Sequence, residues 1–305
     1  MSSLTSWIVA SRPRTLPLSL SGIIVGISLQ INEVKAYPMI AVGCLITTVL
    51  FQVLSNFAND YGDGIKGTDN ENRIGPIRAI QAGIISPRTM KGALVLISIM
   101  SALSAAFTIR LASPILQYHQ VIFYGLLAIL CITAAILYTV GKYAYGYHGF
   151  GDIMVFLFFG VVAVLGTMNL LPNGSWLTGF LGALAIGSWS TMVLNLNNLR
   201  DVTNDRSVNK NTLVVKLGLN AGRIYHLIML YLGVLSWLFL IGILIVKTGH
   251  FSYGIALIPL ILLAKHRMRF SRIEKELDYD PELKKVAIAT FLHALSLLTA
   301  SFLPF

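Results

Sequence analysis

Residues 37–69 read YPMIAVGCLITTVLFQVLSNFANDYGDGIKGTD. No charged side chain occurs from Tyr37 to Ala58, and the run then gives way to Asn59, Asp60, Asp63, Lys66 and Asp69. A helix needs about 20 mostly apolar residues to cross the hydrocarbon core of a bilayer. This stretch therefore reads as a membrane span that ends in an acidic, water-facing cluster.

The pattern repeats along the chain. Apolar runs at 16–31, 37–57, 90–111, 120–140, 153–171, 176–196, 225–246, 251–264 and 286–303 predict an all-α polytopic bundle of about nine transmembrane helices. Of the 305 residues 55% are hydrophobic and 12% charged, where a soluble domain carries about 25% charged residues. No linker or low-complexity tract divides residues 1–305, so one transmembrane unit is expected. Of the 23 Lys and Arg, only Lys35, Arg110 and Lys247 fall on one side of this arrangement. Cytoplasmic loops collect basic residues, which predicts N-in, C-out topology in a cell (inner) membrane. The net charge of +10 then reports loop placement and not nucleic-acid binding. Arg12, Pro13 and Arg14 follow only a short apolar stretch, so the first span begins after them and no cleaved signal is expected. Cys44 and Cys131 lie in apolar runs and read as packing residues. The six histidines are scattered without a zinc-binding pair.

Two loops on the cytoplasmic side combine acids, bases and asparagines. In the first, Asn56 and Asp60 are four apart, as are Asn59 and Asp63, so a helix continuing through them lines them on one face. Gly64 and Gly67 let the chain turn and bring Asp69 back. In the second, Asp201, Asp205 and Asn209 predict another helical stripe. Both clusters emerge at helix C-termini, where the dipole favours a cation. Carboxylates gathered there call for a divalent ion, and Mg2+ suits oxygen ligands shared with phosphate; Asn59, Asp63, Asp201 and Asp205 are the candidate ligands. Lys66, Arg73, Arg78, Arg200 and Lys210 are placed to bind a diphosphate. The third loop, 265–285, alternates acids and bases and reads as a solvated surface. An allylic diphosphate fits such a site, with a polar head for the metal and an apolar tail for the bundle or membrane lipid. Hydrocarbon walls then protect the carbocation from water while an aromatic ring attacks it.

Asn59-Asp60-x-x-Asp63 with a distant Asp201-x-x-x-Asp205 resembles the intramembrane aromatic prenyltransferase superfamily, typified by 4-hydroxybenzoate polyprenyltransferase. The stretches 10–17, 59–69, 73–76 and 138–152 are similar to the 1,4-dihydroxy-2-naphthoate polyprenyltransferases of menaquinone biosynthesis. The resemblance implies transfer of a chain from a polyprenyl diphosphate to 1,4-dihydroxy-2-naphthoate, with loss of its carboxylate, giving demethylmenaquinone. It implies that Asp60, Asp63, Asp69, Asp201, Asp205 and Tyr138 serve catalysis and that Lys142 contacts diphosphate. The tyrosines near Tyr138 can stabilise a cation through their faces or form an interfacial belt. Arg12 and Asn56 are the acceptor-binding candidates, although Arg12 can equally anchor the first helix. The wider superfamily has Asp where Gly67 stands, and Asp69 replaces it as in the naphthoate branch, which favours naphthoate over benzoate.

Two other classes are weaker. Asp60-Tyr-Gly-Asp63-Gly64 superficially fits an alcohol phosphatidyltransferase, but those enzymes keep their acids in one contiguous motif. A secondary transporter would place its acids near the bilayer midplane, not in loops at one surface.

Overall fold

The computed structural model describes residues 4–69, 74–75 and 78–303; Arg73, assigned above to diphosphate binding, lies outside them. Regular structure among the described residues is helical. The helices are α1 (Leu4–Ser11), α2 (Leu16–Ser28), α3 (Ile31–Ala36), α4 (Pro38–Lys66), α5 (Pro87–Ala112) and α6 (Tyr118–Leu137). They continue as α7 (Gly151–Asn169), α8 (Trp176–Arg200), α9 (Val202–Ser207), α10 (Leu213–Leu217), α11 (Leu219–Thr248), α12 (Leu260–Phe270) and α13 (Asp280–Phe302).

Among the described residues, seven helices are long and apolar enough to cross a membrane: α4 to α8, α11, and α13 with its lead-in from Glu276. The other two expected spans are shorter than sequence hydropathy suggested. The first is the 13-residue α2, set off from α1 by Arg12 in the left-handed region (φ 49°) and by Pro13 and Pro17. The eighth breaks into a 3-10 turn, Phe251–Leu257, and α12, which starts after Pro259. Proline lacks the N–H that would continue the ladder, so both breaks have a local cause. Elsewhere proline starts helices, as Pro38 does in α4 and Pro87 in α5.

Burial separates the post of the bundle from its lipid-facing rim. Within its most apolar window α8 is 67% buried, against 22% for α5 and 11% for α6. Trp189 on α8 packs against Trp237 on α11, both fully buried. Outward residues such as Leu103, Phe107, Leu126 and Ile129 are exposed because hydrocarbon, not protein, is their solvent. Residues Phe156–Gly166 within α7 are π-helical. The wider winding presents Phe158, Phe159 and Val162 to an internal cavity, and the Gly166 carbonyl accepts a hydrogen bond from Tyr124 (2.9 Å).

The loop 265–285 is solvated over most of its charged residues, as expected, but its C-terminal end turns inward. Asp280 turns in to pair with Arg200, and Glu282 is buried against His266 (2.6 Å) and Lys285 (2.5 Å). His266 meets His226 (2.8 Å), which in turn bonds Asn195 on α8 (3.0 Å). Buried acids need partners, and this chain of polar groups supplies them while tying α8, α11, α12 and α13 together. Two of the scattered histidines are thus neighbours in space.

Helices α7 and α8 touch at glycines. A Cβ at Gly160 would lie 2.6 Å from the Ala183 carbonyl and from the Gly187 Cα. Small residues permit such approach between membrane helices. Gly160→Ala is expected to force the helices apart and destabilise the protein by about 1–3 kcal/mol. A lower melting temperature in detergent, followed by fluorescence of Trp189 and Trp237, checks this.

Candidate active site

Helix α4 continues unbroken to Lys66, so the acidic cluster forms its last two turns. Gly67, at φ 69°, closes the helix in a conformation that glycine adopts without strain. Asp63, 1% exposed, receives Arg78 on Oδ2 (2.5 Å) and the Tyr147 hydroxyl on Oδ1 (2.7 Å). Arg78 also pairs with Asp69 (3.1 Å) and donates to the Asn59 carbonyl (2.9 Å). Burial alone would lower the Arg78 pKa, but Asp63 and Asp69 outweigh it and hold the guanidinium above its ordinary range. Asp60 points instead to the backbone amides of Ala79 (3.2 Å) and Ile80 (3.5 Å), where it secures the returning loop.

The second motif keeps only the first step of its expected stripe, with the Asp205 amide bonded to the Asp201 carbonyl (2.8 Å). Helix α8 ends at Arg200, the chain bends at Asp201, and α9 begins at Val202. Asn209, at φ 56°, is off any helical face. Asp201 accepts two hydrogen bonds from Arg200, Oδ1 from Nε (2.9 Å) and Oδ2 from Nη2 (2.7 Å). Arg200 is further engaged by Asn197 and Asp280, so its three nitrogens are all committed within the protein. Asp205 is the member that faces the first motif. The Lys210 ammonium lies 3.8 Å from Asp63 and 4.0 Å from Asp205, joining the two clusters through one cation. Asn204 donates to the Thr68 carbonyl (3.4 Å), and its buried Oδ1 accepts no hydrogen bond from the described residues.

The third contributor is the segment after α6. Gly62 on α4 packs so closely on the Thr139 backbone that a Cβ there would lie 2.7 Å from it. That contact lets Thr139 Oγ1 donate to the Ala58 carbonyl (2.8 Å) and the Thr139 carbonyl accept from Lys66 (2.8 Å). Tyr138 and Tyr145 meet edge to face (5.3 Å) at the mouth of the cavity. Burial, reinforced by Asp152 for Tyr138 and by Asp63 for Tyr147, raises the pKa of both phenols. They stay protonated across the physiological range. Lys142 is exposed beside Tyr143 and is not gathered with the others.

The cavity has a volume of about 340 Å³ and lies among α2, α4, α5, α6 and α7. Its wall is apolar, with Gln52, Asn56 and Asn59 at the polar end. Asn56 donates to the Ser11 carbonyl (2.8 Å) and to Thr15 (3.1 Å), which brings the backbone beside Arg12 to this end. Cys44 and Cys131, both free, line the wall.

Residues 19–279 match the UbiA prenyltransferase family. The chain belongs to that family. It is similar to the 1,4-dihydroxy-2-naphthoate octaprenyltransferase of Haemophilus influenzae, 41% identical over 95% of this chain and 93% of that one. The enzyme of the same name from Mycobacterium tuberculosis is 35% identical over 97% and 96%. Among solved structures, a UbiA homolog from Aeropyrum pernix K1 aligns with a TM-score of 0.61, at 13% identity over 94% and 96%. A digeranylgeranylglyceryl phosphate synthase gives the same score at 16% identity over 99% of both chains. Family membership makes the protein a membrane-bound prenyltransferase.

Family membership also suggests Mg2+. Among the described residues no three His, Cys, Asp or Glu side chains converge tightly enough to hold a metal alone. The donors nevertheless fit the ion: Asp63, Asp205 and the unsatisfied Asn204 Oδ1 are hard oxygens, and the Lys210 ammonium already serves two of them as a shared cation. A substrate diphosphate would complete the shell. Sequence reasoning did not select Asn204 or Tyr147; the signal available for each was its place within an already suspect loop.

Arg78→Ala is expected to take from Asp63 and Asp69 the cation they share, leaving Asp63 only its longer contact with Lys210, which costs about 3–5 kcal/mol when one partner of such a buried pair is removed. A fall in melting temperature that 1 M salt does not mimic checks it.

Proposed function

We propose that the protein transfers a polyprenyl group from an allylic diphosphate to 1,4-dihydroxy-2-naphthoate, with decarboxylation, in menaquinone biosynthesis. The observation that carries the reading is the pairing of two acidic motifs across Lys210, next to an apolar cavity that Asn59 of the first motif lines. The acceptor assignment is supported by the 1,4-dihydroxy-2-naphthoate octaprenyltransferases to which nearly the whole chain is similar.

Asp63, Asp205 and Asn204 would hold Mg2+, with Asn59 beside them. The ion, when bound, neutralises charge on the diphosphate and makes it a better leaving group. Lys66 and Lys210 place ammonium groups on the diphosphate oxygens. The allylic C–O bond breaks and its electron pair leaves with diphosphate. Tyr138 and Tyr145 present π faces to the allylic cation, and the cavity wall keeps water from it. The acceptor ring carbon that bears the carboxylate supplies the electrons of the new C–C bond. Loss of CO2 returns an electron pair to the ring, so no proton is transferred and the product is the hydroquinone of demethylmenaquinone. Arg12 and Asn56 lie at the end of the cavity where the acceptor carboxylate would enter. Arg200, bound to both Asp201 and Asp280, holds the end of α8 in place. Asp69 serves through Arg78, and Lys142 is left to meet diphosphate at the surface.

The same proposal sets the acidic loops on the cytoplasmic face of the inner membrane, N-terminus in and C-terminus out. The seven long helices, with α2 and the 251–270 segment completing the crossings, give the odd number of spans this requires. The imbalance of Lys and Arg supports that orientation.

The deciding experiment is an acceptor panel with purified protein, farnesyl diphosphate and Mg2+. Product with release of CO2 from 1,4-dihydroxy-2-naphthoate is expected; product only from 4-hydroxybenzoate or homogentisate would overturn the assignment. Asp63→Asn and Asp205→Asn should each lower turnover by at least about 100-fold while inserting normally, since each removes a charged oxygen from the metal site.

A further inference from the structure

Tyr147 touches both acidic motifs at once. Its hydroxyl donates to Asp63 Oδ1 at 2.7 Å. With that proton committed, the 2.5 Å contact to Thr68 requires the threonine hydroxyl to donate to the phenol oxygen. The ring is shared by two ammonium groups, Lys66 Nζ at 4.0 Å and Lys210 Nζ at 5.4 Å from its centroid. One lysine comes from the first motif and the other from the second.

The backbone fixes the ring independently of any ligand. Tyr147 lies in a 3-10 turn, Tyr145–His148, closed by Gly149 at φ 82°. Its carbonyl accepts from the Asn211 amide (3.0 Å), beyond the second motif, and the neighbouring Gly146 amide bonds the Tyr138 carbonyl (2.9 Å).

We propose that Tyr147 is a positioning residue that couples the metal to the diphosphate: its hydroxyl aims Asp63 at the ion, and its ring holds Lys66 and Lys210 for the phosphate oxygens. This rests on the function proposed above. A carboxylate oxygen has two acceptor directions, so the phenol occupies one and leaves the other for a metal. Hydrogen bonds behind a ligating carboxylate typically set metal affinity within a factor of about 10–100. The ring acts differently. Cation–π attraction draws two like charges to one place, where they repel each other until an anion arrives. Binding of ion and anion is then mutually favourable, each raising the affinity of the other by the same factor.

The two parts of the side chain separate by substitution. Inorganic pyrophosphate is titrated calorimetrically into detergent-purified protein, first in EDTA and then at rising free Mg2+. For Tyr147→Phe the metal-free pyrophosphate affinity is expected to stay within about two-fold of the parent, because the ring remains. The Mg2+ concentration needed for half of the metal-dependent gain should rise about ten-fold. For Tyr147→Leu, which loses the ring, affinity should fall about five-fold even in EDTA. A Tyr147→Phe protein with the parent's Mg2+ dependence overturns the inference, and so does one that loses metal-free affinity as the leucine variant does. Should Tyr147→Leu fail to melt cooperatively, the phenylalanine variant alone decides. Failure of the parent to bind pyrophosphate under either condition would sink the proposed function as well. A parent that binds it and transfers prenyl groups, beside an indifferent Tyr147→Phe, would sink only the role of Tyr147.

Discussion

The site depends on one buried carboxylate. Asp63 accepts hydrogen bonds from Arg78 and Tyr147 and pairs at longer range with the Lys210 ammonium, and these come from three separate connecting segments. An isolated carboxylate in so dry a place would be prohibitively costly, so the surrounding donors must be brought to it. Each of them is in turn committed elsewhere: Arg78 to Asp69, Tyr147 to Thr68, Lys210 to Asp205. The loops that follow α4, α6 and α8 therefore hold one another in place through a charge that none could bury alone.

The bilayer explains why this assembly sits at the end of the bundle and not in its middle. Hydrocarbon cannot satisfy loop backbone, so the irregular segments that carry the acids are confined to the ends of helices. Helices below them need only contribute small and apolar side chains. The close contact of Gly62 with the Thr139 backbone makes the junction, since it lets the α4 end reach the carbonyl that anchors Lys66. The cavity begins at that junction, with Asn56, Asn59, Tyr138 and Tyr145 at its mouth and phenylalanines deeper in.

The long spans were legible because a membrane helix has only one way to satisfy its backbone, and an uninterrupted apolar run says so. The ends were not. Helix α4 runs on through Asp60 and Asp63 because burial against Arg78 and the Ala79 amide replaces the water those acids would otherwise seek. The stripe expected through Asp201, Asp205 and Asn209 holds for its first step, where the Asp205 amide bonds the Asp201 carbonyl (2.8 Å), and fails at Asn209, which lies past the end of α9 with φ 56°. Alternating charges at 265–285 suggested a solvated face, yet Arg200 and His266 draw Asp280 and Glu282 inward. Spacing reports which residues share a local helix face. It carries no information about a cation contributed from eighty residues away.

The composition of the cavity bears on the acceptor. No carboxylate, imidazole or amine is among its described lining residues. An aromatic carbon that loses hydrogen on prenylation must pass a proton to some base before aromaticity returns. A carbon that loses CO2 recovers its electrons from the breaking C–C bond and asks nothing of the wall. A chamber of aliphatic, aromatic, hydroxyl, thiol and amide side chains therefore suits the decarboxylating substrate, and it leaves the acids outside the chamber to hold cations, the task for which Arg78 and Lys210 already show them arranged.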